Sequence, residues 1–140
     1  MIVYAESSAV LAWLLNEAGR DSVRQALAGA ARVVTSRLTI IECSRALDRS
    51  RMRGRLGEAA ALAAHRLLAE ASAGWVIMDM VGEVVTRASR PFPGESVRTL
   101  DALHLASAVV FHEWLGALAM LSLDERVRAN WTALGHELAA

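Results

Sequence analysis

Short apolar runs of strand length recur along this chain, and one or two stretches with helical spacing follow each of them. That alternation constrains the fold more than any other feature of the sequence. Ile2–Ala5, Arg32–Thr35, Trp75–Met78 and Ala117–Leu121 read as strands, and His136–Leu138 as a last short one. Helices are expected over Ser8–Leu15, Arg20–Ala30, Leu38–Arg53, Glu58–Ser72, Val81–Arg90, Thr99–Trp114 and Glu125–Trp131. Val23 with Leu27, and Leu38 with Ile41 and Leu47, supply apolar helix faces, while Pro91 and Pro93 mark a loop. Strands that alternate with helices predict an α/β layer fold with a mostly parallel sheet. In such sheets ligands bind outside the carboxyl ends of the strands, so the chemistry should be sought there.

At 140 residues, 54% of them hydrophobic, residues 1–140 read as one domain able to bury a core without disulfides or structural metals. One cysteine, Cys43, cannot form an internal disulfide and offers no zinc spacing, which fits a reducing compartment. The N-terminus lacks a signal-peptide pattern, and no apolar run is long enough to span a membrane. A cytoplasmic protein is the expectation. Net charge is zero, yet all 15 basic residues are arginine, and Arg45, Arg49, Arg51, Arg53 and Arg55 fall close together. That run reads either as a solvated helix end or as a surface for RNA or an acidic partner, since guanidinium recognises phosphate bidentately.

Four acids stand at loop-to-helix junctions. Glu6 follows the first strand, Asp124 follows Ala117–Leu121, and Glu42 and Asp101 are expected in the first turns of their helices. Each has an ordinary structural explanation. Thr39-x-x-Glu42 is a capping-box pattern, Asp124 suits a helix N-cap, and Asp101 gains from the helix dipole. Glu6 fits least well, because Ser7 or Ser8 would be the favoured cap. Taken together, four carboxylates at one sheet edge repel one another unless a cation sits among them. Oxygen ligands without His or Cys select Mg²⁺ or Mn²⁺.

The stretches AESSAVLAWLLNE, TIIECSRAL, TLDALHLASAVV and SLDERV, in that order, carry a resemblance that spans nearly the whole chain. The sequence resembles the PIN domain family and, within it, the VapC-type toxins of bacterial toxin–antitoxin pairs. The resemblance implies a PIN-like three-layer α/β fold, its mostly parallel central sheet of about four to five strands flanked by helices. It also implies a Mg²⁺-dependent endoribonuclease, with Mn²⁺ as a substitute, that hydrolyses RNA phosphodiester bonds. By motif position Glu6, Glu42, Asp101 and Asp124 would be the catalytic, metal-site acids, with Ser8 in support. Asp101 and Glu6 are expected to touch metal directly, and Glu42 and Asp124 to hold metal-bound water or a second ion. A VapB-like antitoxin and a homodimer are the implied partners.

The family usually has Asp where this chain has Glu6. A side chain longer by one methylene motivates a second reading, a catalytically weak or inactive PIN-like module that binds RNA or a partner protein. His104, one turn after Asp101, reads as a buried residue bonding locally or as a general acid or base. Trp13, Trp75, Trp114 and Trp131 are expected in the core or an interface, and Cys43 in the core. A phosphoacceptor receiver domain would need a lysine, which this chain lacks, and neither nucleotide-binding glycine motif is present.

Overall fold

The computed structural model describes residues 1–94 and 96–140. Its strands are β1 (Ile2–Ala5), β2 (Arg32–Ser36), β3 (Val76–Met78) and β4 (Leu118–Leu121). Its helices are α1 (Ser7–Leu14), α2 (Arg20–Gly29), α3 (Arg37–Met52), α4 (Glu58–Ser72), α5 (Gly82–Ala88), α6 (Thr99–Leu115) and α7 (Glu125–Ala133). The order of elements is the one the alternation predicts. The strands form one sheet in the order β3-β2-β1-β4, with each neighbouring pair parallel.

His136–Leu138 is not a strand. The tail meets β4 only at Met120, whose N–H donates to the Glu137 carbonyl at 3.0 Å and whose own carbonyl accepts from Ala139 N–H at 2.8 Å. A single bridge, Met120 with Leu138, is all the pairing this produces.

Burial explains why the strands read as continuous apolar runs. Tyr4, Val34, Met78, Leu118 and Met120 pack with Val84, Leu105 and Trp131, from α5, α6 and α7. Their neighbours Val3, Ala5, Val33 and Leu121 pack on the opposite face, against residues such as Val10, Val23, Cys43 and Leu68 from α1 to α4. Alternate residues therefore serve two cores, as in parallel sheets covered on both faces. The architecture is three-layered, helices over sheet over helices.

The order of the strands fixes where a site can form. The chain steps outward from β1 to β2 to β3, then returns through α5 and α6 to lay β4 on the free side of β1. The switch point lies between β1 and β4, where the connections after neighbouring strands diverge and leave a crevice. Glu6 is the first residue beyond β1, and Ser122 the first beyond β4.

Helix α6 runs through the larger core, with Ala102, His104, Leu105, Ala106, Ser107, Ala108, Val110 and Phe111 all buried. A helix that is apolar nearly all round is a core helix, and burying one leucine is worth about 1.5–3 kcal/mol. Leu105→Ala should therefore lower stability by about 2–5 kcal/mol, through lost transfer energy and a residual cavity. Urea unfolding checks this, with the midpoint falling and the slope unchanged.

Candidate active site

Strand β1 delivers Glu6 to the switch point, and its backbone N–H is still tied to the sheet, donating to the Leu121 carbonyl at 3.0 Å. The side chain is buried at 4% exposure. Burying a carboxylate is costly unless its lone pairs are satisfied. Here Oε1 accepts from Ser7 Oγ at 2.7 Å, and Oε2 from Ser8 N–H at 3.1 Å and Ser122 Oγ at 2.7 Å. Ser8 Oγ adds a further bond to Oε2 and accepts in turn from Leu123 N–H at 2.9 Å. The expected cap at Ser7 or Ser8 is thus reversed. Glu6 is itself the N-cap of α1, and the serines donate to it. Its extra methylene lets the carboxylate curl back over the first turn.

Glu42 lies in the second turn of α3 rather than the first, because β2 runs on to Ser36 and the helix starts at Arg37. The capping box does not form. Ser36 Oγ is the cap, accepting from Leu38 N–H at 3.1 Å. Thr39 Oγ1 instead accepts from Thr35 Oγ1 at 2.8 Å, beneath the end of β1. Glu42 is freed for another partner, His104. The imidazole Nε2 lies 2.5 Å from Glu42 Oε1, and a carboxylate can only accept, so Nε2 donates. On the other side Nδ1 pairs with the Tyr4 hydroxyl at 2.9 Å. Burial foremost, then the charge of Glu6, pushes the Tyr4 phenol well up, so it stays protonated.

The expectation that His104 bonds locally is therefore wrong. Its face of α6 looks inward onto β1 and α3, and its bonds cross 100 and 62 positions of sequence. Ser7 Oγ, 2.7 Å from Glu6 Oε1 and 3.2 Å from Glu42 Oε1, bridges the two acids.

Asp124 is the N-cap of α7, with Oδ1 accepting from Arg126 N–H at 2.9 Å and Val127 N–H at 3.1 Å. Both bonds fall on one oxygen, leaving Oδ2 outside the cap. Ser122 joins this acid to Glu6, accepting from Asp124 N–H at 3.1 Å while donating to the buried carboxylate. Asp101 sits in the first turn of α6 and is half-buried. Burial, then the charges of Asp124 and Glu6, pushes its carboxyl up from the usual range. Asp101, Asp124 and Glu6 thus interact electrostatically, and Ser7 joins Glu42 to Glu6.

Among the described residues no arginine pairs with any of them, and the ion-pair contacts to Glu6 and Glu42 come from His104. Nor do three His, Cys, Asp or Glu groups stand close enough, among those residues, to hold a metal ion by themselves. An oxygen-only donor set with uncompensated charge nevertheless suits Mg²⁺, which keeps several waters and takes one or two carboxylates. Glu6 is buried, whereas Glu42, Asp101 and Asp124 are partly exposed.

The family model for the PIN domain matches residues 3–130, a span that includes all four acids and each of the strands but the first residue of β1. The chain belongs to the PIN domain family. A search of curated proteins found no match in sequence. Among solved structures, the chain is similar to VapC20 of Mycobacterium tuberculosis, described as a toxin that cleaves the sarcin–ricin loop. The TM-score is 0.62 at 18% identity, over 91% of this chain and 93% of that one. It is also similar to PAE2754 of Pyrobaculum aerophilum, with TM-score 0.63 and 18% identity over 93% of this chain and 79% of the other. At that identity the likeness is one of fold.

In this PIN domain Ser7, Ser122 and Tyr4 join the site without having been singled out in the sequence. The signal for Ser122 was present, two residues before Asp124 in SLDERV. Cys43 is buried, its thiol pushed up to about 12 by burial and then by Glu42 and Glu6, so it is no nucleophile. Trp131 is fully buried, whereas Trp114 at the end of α6 is 55% exposed and lies outside the core. No helix among the described residues is long and apolar enough to cross a membrane.

His104→Ala would take one hydrogen bond from the buried Tyr4 hydroxyl and one from Glu42 Oε1, which is partly exposed and keeps Ser7 as a donor. Lost hydrogen bonds are worth about 0.5–1.5 kcal/mol, or about 1.5–3 kcal/mol to a charged group, so this variant should unfold at clearly lower urea concentration than the parent. His104→Gln, which can still donate towards Glu42, should recover part of that loss.

Proposed function

We propose that this PIN domain is a metal-dependent endoribonuclease of the VapC toxin type, held in check by a VapB-like antitoxin and working as a homodimer. The observation that supports it is the gathering of Glu6, Glu42, Asp101 and Asp124 near the β1–β4 switch point, with no arginine paired to them among the described residues. Asp101 and Asp124, which stand at helix starts, would hold the cation. Glu6 is the buried anchor, its charge fixed by the serines. Mg²⁺, or Mn²⁺ in its place, would supply Lewis-acid charge at the scissile phosphate and lower the pKa of an attacking water.

The rest is work for the chain's own groups. His104 and Ser7 occupy Glu42 Oε1, which leaves Oε2 to orient a water and accept its proton. Phosphoryl chemistry needs this positioning and charge balance more than a protein nucleophile. Partly exposed acids at the edge of the sheet suit a polymer, whose backbone can lie across that edge.

The alternative reading, a PIN-like module that binds without cleaving, draws on one observation. Glu6 has both oxygens engaged by serines, so it is less available as a direct ligand than an aspartate would be. Cleavage assays on structured RNA separate the two readings.

Asp101→Asn should abolish cleavage and leave the fold intact. Because the folded-state pKa of Asp101 is raised, its charged form weakens the folded state as pH rises through the carboxylate range. The variant should therefore melt no lower than the parent at neutral pH, and the gap should close on acidification. Retained cleavage would mean the site is misassigned.

A further inference from the structure

The arginine run of α3 has a register that relates it to the acid site. At 3.6 residues per turn, Arg49 stands about 20° from Glu42 around the helix axis and Arg45 about 60° away, while Arg53 is the C-cap residue just beyond α3, its N–H still bonded to the Arg49 carbonyl. With a rise of 1.5 Å per residue Arg45 and Arg49 lie roughly 4.5 and 10.5 Å along the axis from Glu42. Arg45, Arg49 and Arg53 are exposed. Arg51, on the opposite side of the helix, is the one that is paired, with Glu58 of α4 at 3.3 Å.

Among the described residues the three arginines on the Glu42 side make no ion pair. Favourable interaction with the helix dipole accounts for basic residues in the last turn, but not for Arg45 or for the shared side. The chain has no net charge to attract a polyanion from a distance, so a local stripe of guanidinium is what could hold one.

We propose that Arg45, Arg49 and Arg53 form a phosphate track, along which an RNA strand leaves the acid site over the surface of α3. This rests on the ribonuclease reading. The occupant is the sugar–phosphate backbone of single-stranded RNA. The guanidinium groups contact successive phosphates on one side of the scissile bond and set the register in which that bond meets Glu42 and Asp101. Such contacts position the strand without reading its bases.

The test measures binding of a labelled single-stranded RNA across a salt series, in the Asp101→Asn background to prevent cleavage. One variant combines Arg45→Gln, Arg49→Gln and Arg53→Gln. A charge-matched control combines Arg24→Gln, Arg66→Gln and Arg90→Gln, all exposed positions elsewhere. For single strands each phosphate contact contributes about 0.7 to the slope of log affinity against log salt. The track variant should therefore lose roughly 2 from that slope and bind more weakly at low salt, while the control matches the parent. With Asp101 restored, cleavage of a dinucleotide should be unaffected by the track substitutions and KM for a longer RNA should rise.

Equal slopes and affinities in the track variant and the control, with cleavage intact, would overturn the track and leave the nuclease standing. An unsubstituted chain that neither binds nor cleaves RNA would overturn both. Undiminished RNA binding with lost retention on polyglutamate would assign the stripe to an acidic protein and overturn the RNA track.

Discussion

A carboxylate buried at the end of β1, with no arginine paired to it among the described residues, sets the terms for the residues around it. Glu6 cannot be hydrated where it lies, so the chain supplies hydroxyl donors from Ser7, Ser8 and Ser122 and the first free N–H of α1. Those donors come from both sides of the β1–β4 seam. The same bonds that satisfy one charge therefore lock the two strand ends and the start of α1 together. Ser122 also accepts from the Asp124 N–H, and Ser7 also reaches Glu42, so the cradle fixes where the other acids begin.

His104 connects this edge to the core. Its ring is buried between Tyr4 of β1 and Glu42 of α3, and it belongs to α6. A side chain that joins three elements makes the orientation of Glu42 a property of the whole packing arrangement. Asp101 and Asp124 differ in kind, since each sits at a helix start nearer to water. Asp124 and Glu6 help to push the Asp101 carboxyl up, as like charges do.

Much of the fold was legible because the strands are covered on both faces and so read as unbroken apolar runs. The helix starts were less so. Glu6 was read as a poor cap, and Glu42 as part of a capping box, because local rules compare neighbours in sequence. The actual partners lie across the sheet, at Ser122 and His104. Long-range bonds of this kind leave no spacing to recognise, which is also why His104 seemed local. His136–Leu138 failed as a strand for a related reason. Its apolar pattern is compatible with pairing, but among the described residues its backbone bridges β4 at Met120 alone. Glu6, Asp101 and Asp124 were visible because each follows a strand or opens a helix, where parallel-sheet topology concentrates function.

We propose that the acids gathered near the β1–β4 switch point form a cation site. Calorimetric titration of the purified chain with Mg²⁺ and Mn²⁺ tests this most directly. Saturable binding at or below millimolar concentration, weakened by Asp101→Asn and by Asp124→Asn, is the predicted result. A parent chain that takes up neither ion at millimolar concentration would contradict it.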